Sequence, residues 1–206
     1  MYFQTAGPDC TEQVATICLD RALEMGIRHL VVASNQGVTA RAFLKEIRGR
    51  GLQLYRASAG SDAGAVPEGM VNLVVVTHHV GFREPGVDEM PPEVRRGLMA
   101  EGARVLTTTH LFAGVDRAVT NEFGGLYPPQ MVARALYLFS PGVKVAVEVG
   151  VMALDAGLIP YGEEIVSVGG TSRGADSALV MLPAHSRQFF QTRILELICK
   201  PRRPGD

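Results

Sequence analysis

The chain has 206 residues, 47% hydrophobic and 20% charged, with a formal charge of -1, the composition of a globular protein able to bury one sizeable core, so one domain is the default. Without an excess of positive charge, nucleic acid and anionic membranes are not expected as main partners, and any anion site must be local. Cys10, Cys18 and Cys199 lie far from metal-ligand spacing and are odd in number, which argues against a disulfide framework and for a reducing cytoplasm.

Along the chain, "PDCTEQVATICLDRALEMG" reads as a helix, with Asp9 and Glu12 at capping-box spacing, an apolar face through Val14, Ile17, Cys18, Ala22 and Met25, and a stop at Gly26. The N-terminus lacks the charged-then-apolar pattern of a signal segment. The run Leu30 to Ala33 is short and β-branched, as a buried strand requires, and Val38 to Ile47 then takes helical spacing through Ala40, Phe43, Leu44 and Ile47. Residues 49 to 71 begin with the alternating Leu52 and Leu54 and become rich in Gly, Ala and Ser, predicting a partly mobile surface excursion. "NLVVVTHH", residues 72 to 79, is a strand buried on both faces, as in a parallel sheet.

A loop "VGFREPGVDE" follows, then a short helix started by Pro91 and Pro92 and ended by Gly102. "ARVLTTTH" is a third strand or strand-like segment, and "VDRAVTNEFGGLYPP" a helical turn with a break. Helices are expected over roughly 128 to 139 and 142 to 157. The second is apolar nearly all round, interrupted by Glu148 and Asp155, so it should be packed on most sides and does not span a membrane. Its two carboxylates are expected to act as a cap or a buried hydrogen-bonding group. "EEIVSVGG" and "SALVMLPA" form a hairpin across "GGTSRGAD", and "RILELICKP" adds a strand at the C-terminal edge. These elements predict a three-layer α/β/α sandwich with a mostly parallel sheet and an antiparallel C-terminal edge hairpin. The apolar helix and the edge segment 193 to 200 make a homo-oligomer reasonable.

Ligands of open α/β sheets bind beyond the carboxyl ends of the parallel strands. The residues there are polar: Ser34, Asn35, Gln36, Gly37 and Thr39 after the first strand, Thr77, His78 and His79 after the second, and Thr107, Thr108, Thr109 and His110 after the third. A helix starting at Val38 offers unpaired N–H groups and a positive dipole end to an anion. Ser, Asn and Gly are also what turns and N-caps use, so either role is open. In "GGTSRGAD", residues 169 to 176, glycines let N–H groups converge and Arg173 can fork to phosphate, although a hairpin connection is commonly Gly rich. Neither loop is a Walker or GxGxxG sequence, and no GxSxG motif is present. His78 and His79, adjacent on a strand, should point to opposite faces and so not share an ion; no metal site is expected. One of them with His110 could form a hydrogen-bonding or acid/base pair.

The runs "VVASNQGVTARAF", "GLYPPQMVARAL" and "VAVEVGVMALDAGLIPYGEEIVSVGGTSRGADSALVMLPA" resemble the C-terminal, allosteric domain of pyruvate kinase. "NLVVVTHHVGFREPG", "RVLTTTHLFAGVDRA", "FGGLYPP" and "RGADSALVMLPAHS" look like hallmark segments of a stand-alone prokaryotic family called pyruvate kinase C-terminal domain-like. The resemblance covers nearly the whole chain, residues 49 to 71 looking inserted. It implies that Ser34 to Thr39 and Gly170 to Asp176, among them Thr171, Ser172, Arg173 and Gly174, clasp one phosphorylated ligand. It also implies bound FMN, its ring near Thr77, His78, Gly81, Phe82, Thr109 and His110, with His78, His79 or His110 orienting substrate or donating a proton. It carries no catalytic barrel, so the pyruvate kinase reaction is not implied, and Asn35 and Gln36 stand where hydroxyl-rich runs occur in the kinase. A flavin-dependent enzyme, a non-catalytic phosphometabolite sensor and a hydrolase or isomerase using the histidines are the competing expectations.

Overall fold

The computed structural model describes residues 1–56 and 66–203. In chain order it contains β1 (Tyr2–Phe3), α1 (Thr11–Met25), β2 (His29–Ala33), α2 (Val38–Gly49), β3 (Gln53–Leu54), β4 (Met70–Thr77), α3 (Pro92–Glu101), β5 (Arg104–Thr107) and α4 (Val115–Phe123). There follow α5 (Pro128–Tyr137), α6 (Pro141–Asp155), β6 (Ile165–Gly169), β7 (Ser177–Leu182) and β8 (Arg193–Pro201), with 3-10 turns at Pro8–Cys10 and Ser186–Gln191. Of the expected excursion over 49–71, β3 pairs with the start of β4, and residues 57–65 lie outside the described residues.

The sheet runs β1-β8-β7-β6-β2-β4, with β3 and β5 both on the far side of β4. β2 is parallel to both β4 and β6, while β6, β7 and β8 are antiparallel. Side-chain alternation sorts the layers. Leu30 and Val32 of β2 with Leu73 and Val75 of β4 join the core beneath α1, α2 and α3. Val31, Val74 and Val76 face the other way, onto α6. This is the expected α/β/α arrangement, mostly parallel with an antiparallel flank.

Several local expectations are corrected. Asp9 does not cap α1: the N-cap is Cys10, without a side-chain bond, because Pro8–Cys10 is already a 3-10 turn, and Glu12 pairs with Lys45 instead. The segment after Gly114 is a nine-residue helix rather than one turn. β8 is not the outermost strand, since Tyr2 and Phe3 pair beside Lys200 and Pro201. A two-residue strand carries too little periodicity to be read from sequence. Cys18 and Cys199 are fully buried where α1 packs on β8, and burial pushes the Cys18 thiol well above its ordinary value. Among the described residues no helix is long and apolar enough to cross a membrane, and no group of three or more His, Cys, Asp or Glu is placed to hold a metal.

α6 starts at Pro141, with the Ser140 hydroxyl accepting from Val143 N–H at 3.0 Å. Its first turn lies so close to β7 that a Cβ on Gly142 would collide with Asp176 Oδ1 and Ser177 Oγ. Alanine would ordinarily stabilise a helix by about 1 kcal/mol over glycine; here steric overlap reverses the sign. Gly142→Ala is expected to destabilise the fold by roughly 1–3 kcal/mol, measured as a lowered urea midpoint at unchanged m-value.

Candidate functional site

A cavity of about 600 Å³ opens at the carboxyl ends of β2, β4 and β6, on the α6 side of the sheet. Its position follows from topology. The chain leaves β2 toward β4 on one side and returns through α4, α5 and α6 to β6 on the other, so the connections after β2 and β6 part around a crevice. Leu30, Val31 and Val32 pair with Val166, Ser167 and Val168, which sets Ser34 level with Gly170 if that register is continued. Of the residues expected from sequence, Ser34, Asn35, Gln36, Thr39, Thr77, His78, Phe82, His110, Gly170, Ser172, Arg173 and Gly174 line this one cavity.

At one end lies the start of α2. The Ser34 hydroxyl takes the Ala40 N–H at 3.3 Å, and the N–H groups of Val38 and Thr39 have no partner among the described residues. Thr39 is 2% exposed, and its hydroxyl also lacks a hydrogen bond among the described residues. Across from it runs the connection from Gly170 to Gly174. Its glycines serve close packing first: a Cβ on Gly170 would strike Gly174 O, and one on Gly174 would meet Pro8 Cα at 2.5 Å. Asp176, fully buried, secures the connection by accepting from Gly7 N–H at 2.9 Å, Thr171 N–H at 3.0 Å and Ser177 Oγ at 2.8 Å.

Some expected residues stand apart from the cavity lining. Asp176 is spent on those three bonds, and Thr171 contributes its N–H to them. Gly37 turns the chain at φ 85° and faces α3, where a Cβ would lie 2.5 Å from Val94 Cγ1. Gly81 closes the 81–87 loop by donating to Val87 O at 2.9 Å, and Thr109 is exposed. His79 is also off the lining. The expectation that His78 and His79 face opposite ways fails, because β4 ends at Thr77 and strand alternation does not reach them. Both rings meet Phe82 and His110: centroids are 3.8 Å apart for His78–Phe82, 5.2 Å for His78–His110, 5.6 Å for His79–Phe82 and 5.5 Å for His79–His110. An aromatic cluster thus forms the second end of the cavity.

His78 is oriented from both sides. Asn35 Oδ1 accepts the His78 backbone N–H at 2.9 Å, so the Asn35 amide nitrogen, 2.9 Å from Nε2, is the donor there. The Nδ1–H is then left to donate to Glu89 Oε2, while Arg83 Nε pairs with Glu89 Oε1 at 2.9 Å. His110 differs, its ring having no hydrogen-bond partner among the described residues. Burial pushes its pKa down to about 4, outweighing the opposing pull of Glu148. At neutral pH it is an uncharged imidazole with one donor and one acceptor.

The sequence reading missed what α6 contributes. Lys144, Val145, Glu148, Val149 and Met152 line the cavity as a stripe at helical spacing. Arg117 of α4 lines it too. Glu148 fills the expected role of a buried hydrogen-bonding carboxylate, accepting from Phe112 N–H at 2.9 Å and Lys144 Nζ at 2.5 Å. Asp155 instead accepts from His185 Nδ1 and Ser186 N–H, at 2.9 and 3.2 Å. Counting charges, Lys144 is offset by Glu148 and Arg83 by Glu89. Arg117 and Arg173 have no ion-pair partner among the described residues, so the lining carries surplus positive charge. Compared against models of known protein families, the chain matches none.

His110 also predicts a pH dependence. Its pKa near 4 in the folded chain lies below the ordinary value of about 6.5, so the unfolded chain binds the proton first as pH falls. Folding stability is therefore full above pH ~6.5 and declines toward pH ~4. Burial lowers the His29 pKa as well, adding a decline of the same sign. His110→Gln is expected to lose less stability than the parent between pH 7 and 4.5, read from urea unfolding at the two pH values; equal losses would contradict an uncharged, partly buried His110.

Proposed function

We propose that the cavity binds a phosphate ester whose other end is flat and aromatic. FMN is the candidate supplied by the resemblance to pyruvate kinase C-terminal domain-like proteins. The observation that carries this reading is the meeting of Ser34–Thr39, Gly170–Gly174 and the His78, Phe82 and His110 rings around one space of about 600 Å³. Such a volume lies within the range of single-cofactor pockets.

The phosphate end suits the open N–H groups of Val38 and Thr39, the Thr39 hydroxyl and the guanidinium of Arg173, a combination of helix dipole, neutral donors and forked charge. The two uncompensated arginines balance a phosphate monoester dianion. An aromatic ring would lie against His78 and Phe82, with Val76, Val149 and Met152 as apolar wall. FMN would supply hydride or electron transfer there. The chain's own part is to exclude water, orient the ring, and offer His110 as an uncharged hydrogen-bonding partner to ring or substrate. The histidine role narrows to His110, since both ring nitrogens of His78 are taken by Asn35 and Glu89, and His79 is off the lining and hydrogen-bonded to Val80 O at 2.8 Å.

Purified protein is expected to carry visible flavin absorption, or to acquire it on titration with FMN. Arg173→Ala should weaken FMN roughly tenfold or more, as loss of a charge-assisted hydrogen bond does, and should abolish thermal stabilisation by inorganic phosphate. A colourless protein that ignores FMN yet is stabilised by a phosphate ester would instead support a phosphometabolite sensor. Indifference to both FMN and phosphate would refute the site.

A further inference from the structure

Lys144 is 8% exposed and Glu148 3%, and both belong to the α6 stripe that lines the cavity. Burying an ion pair is costly, and well-packed apolar residues commonly do as well or better for stability. The geometry shows what this pair leaves available. One ammonium N–H goes to Glu148 Oε2 at 2.5 Å. The cation also lies 5.5 Å from the centroid of the Phe112 ring, which holds it in place without consuming a donor. An ammonium carries three donors, and the remaining two find no acceptor among the described residues. Glu148 is held in turn by Phe112 N–H, so the pair is fixed at both members.

We propose that Lys144, whose ammonium stands over Phe112, two residues beyond the His110 ring at the aromatic end of the cavity, donates to a neutral carbonyl oxygen at the end of the ligand remote from its phosphate. This rests on the cavity being a phosphate-ester site and adds the chemistry of the second end. A neutral oxygen fits better than a carboxylate because Glu148 already supplies the counter-charge of Lys144. A second carboxylate would leave an excess negative charge beside buried groups with nothing to balance it, and His110, uncharged at neutral pH, does not provide the balance. The two carbonyl groups of a flavin's pyrimidine ring meet this requirement. Phosphorylated carboxylic acids do not.

The test compares FMN with inorganic phosphate on the full chain. The variant is Lys144→Met with Glu148→Gln, which removes both charges together and keeps an oxygen for the Phe112 N–H; a melting curve checks that it folds. FMN affinity, read from quenching of flavin fluorescence, is expected to fall roughly tenfold or more, with inorganic phosphate binding unchanged. If the double variant does not fold, Lys144→Gln, which keeps an amide donor for Glu148, carries the same expectation. Unchanged FMN affinity in a folded variant overturns the Lys144 assignment and leaves the phosphate site standing. So does a parent protein that binds phosphate and not FMN. A parent that binds neither refutes the phosphate site, and this assignment with it.

Discussion

The parallel pairing of β2 with β6 is the constraint on which the site depends. Three consecutive residue pairs, from Leu30 with Val166 to Val32 with Val168, fix the level at which both strands end, and so fix the connections that leave them. A slip of one residue would turn Val31 and Val32 to the wrong layers, exchanging the core beneath α1 and α2 with the core beneath α6. The packing of both faces therefore enforces the alignment of the two loops. Segments more than 130 positions apart in the chain, Ser34 and Gly170, are neighbours because apolar side chains elsewhere permit one register only.

Each loop is then held by a polar group that makes no demand on a ligand. Ser34 ties the turn to α2 through Ala40, and Asp176 ties the Gly-rich connection to Gly7 and Ser177. A buried carboxylate with three donors is well compensated, and it leaves the nearby Arg173 without an ion-pair partner among the described residues. The glycines of that connection answer to backbone crowding against Gly174 and Pro8. The usual inference from glycine to anion binding is thus only half the account here. What favours an anion is the surplus charge of Arg117 and Arg173 together with the open donors at the start of α2. Preorganisation by the protein's own bonds means that little ordering would accompany binding.

Most of the layer order was legible in the sequence, because β2 and β4 carry continuous apolar runs, β6 is apolar but for Ser167, and α1, α2 and α3 end on Gly or start on Pro where local chemistry demands it. The polar residues after each strand were legible as well, by topology. Other features were not. The side on which β6 joins β2 depends on packing, so the convergence of the two loops could be expected from resemblance but not from spacing. The apolar run does not mark where β4 ends: the strand stops at Thr77, so alternation does not extend to His78 and His79. Lys144 went unnoticed within an almost wholly apolar helix. Its signal was present in the spacing of Lys144 and Glu148, four apart and therefore on one face, with Val145, Val149 and Met152 beside them.

The thiols between α1 and β8 give the molecule a built-in clock. Cys18 and Cys199 have no solvent contact, and the Cys18 sulfur resists ionisation, so alkylating reagents must wait for that seam to part. Since β8 is joined to β7 and β1 to β8, parting the seam dismantles one whole flank of the sheet. The speed at which these sulfurs become modified thus registers cooperative opening of that flank.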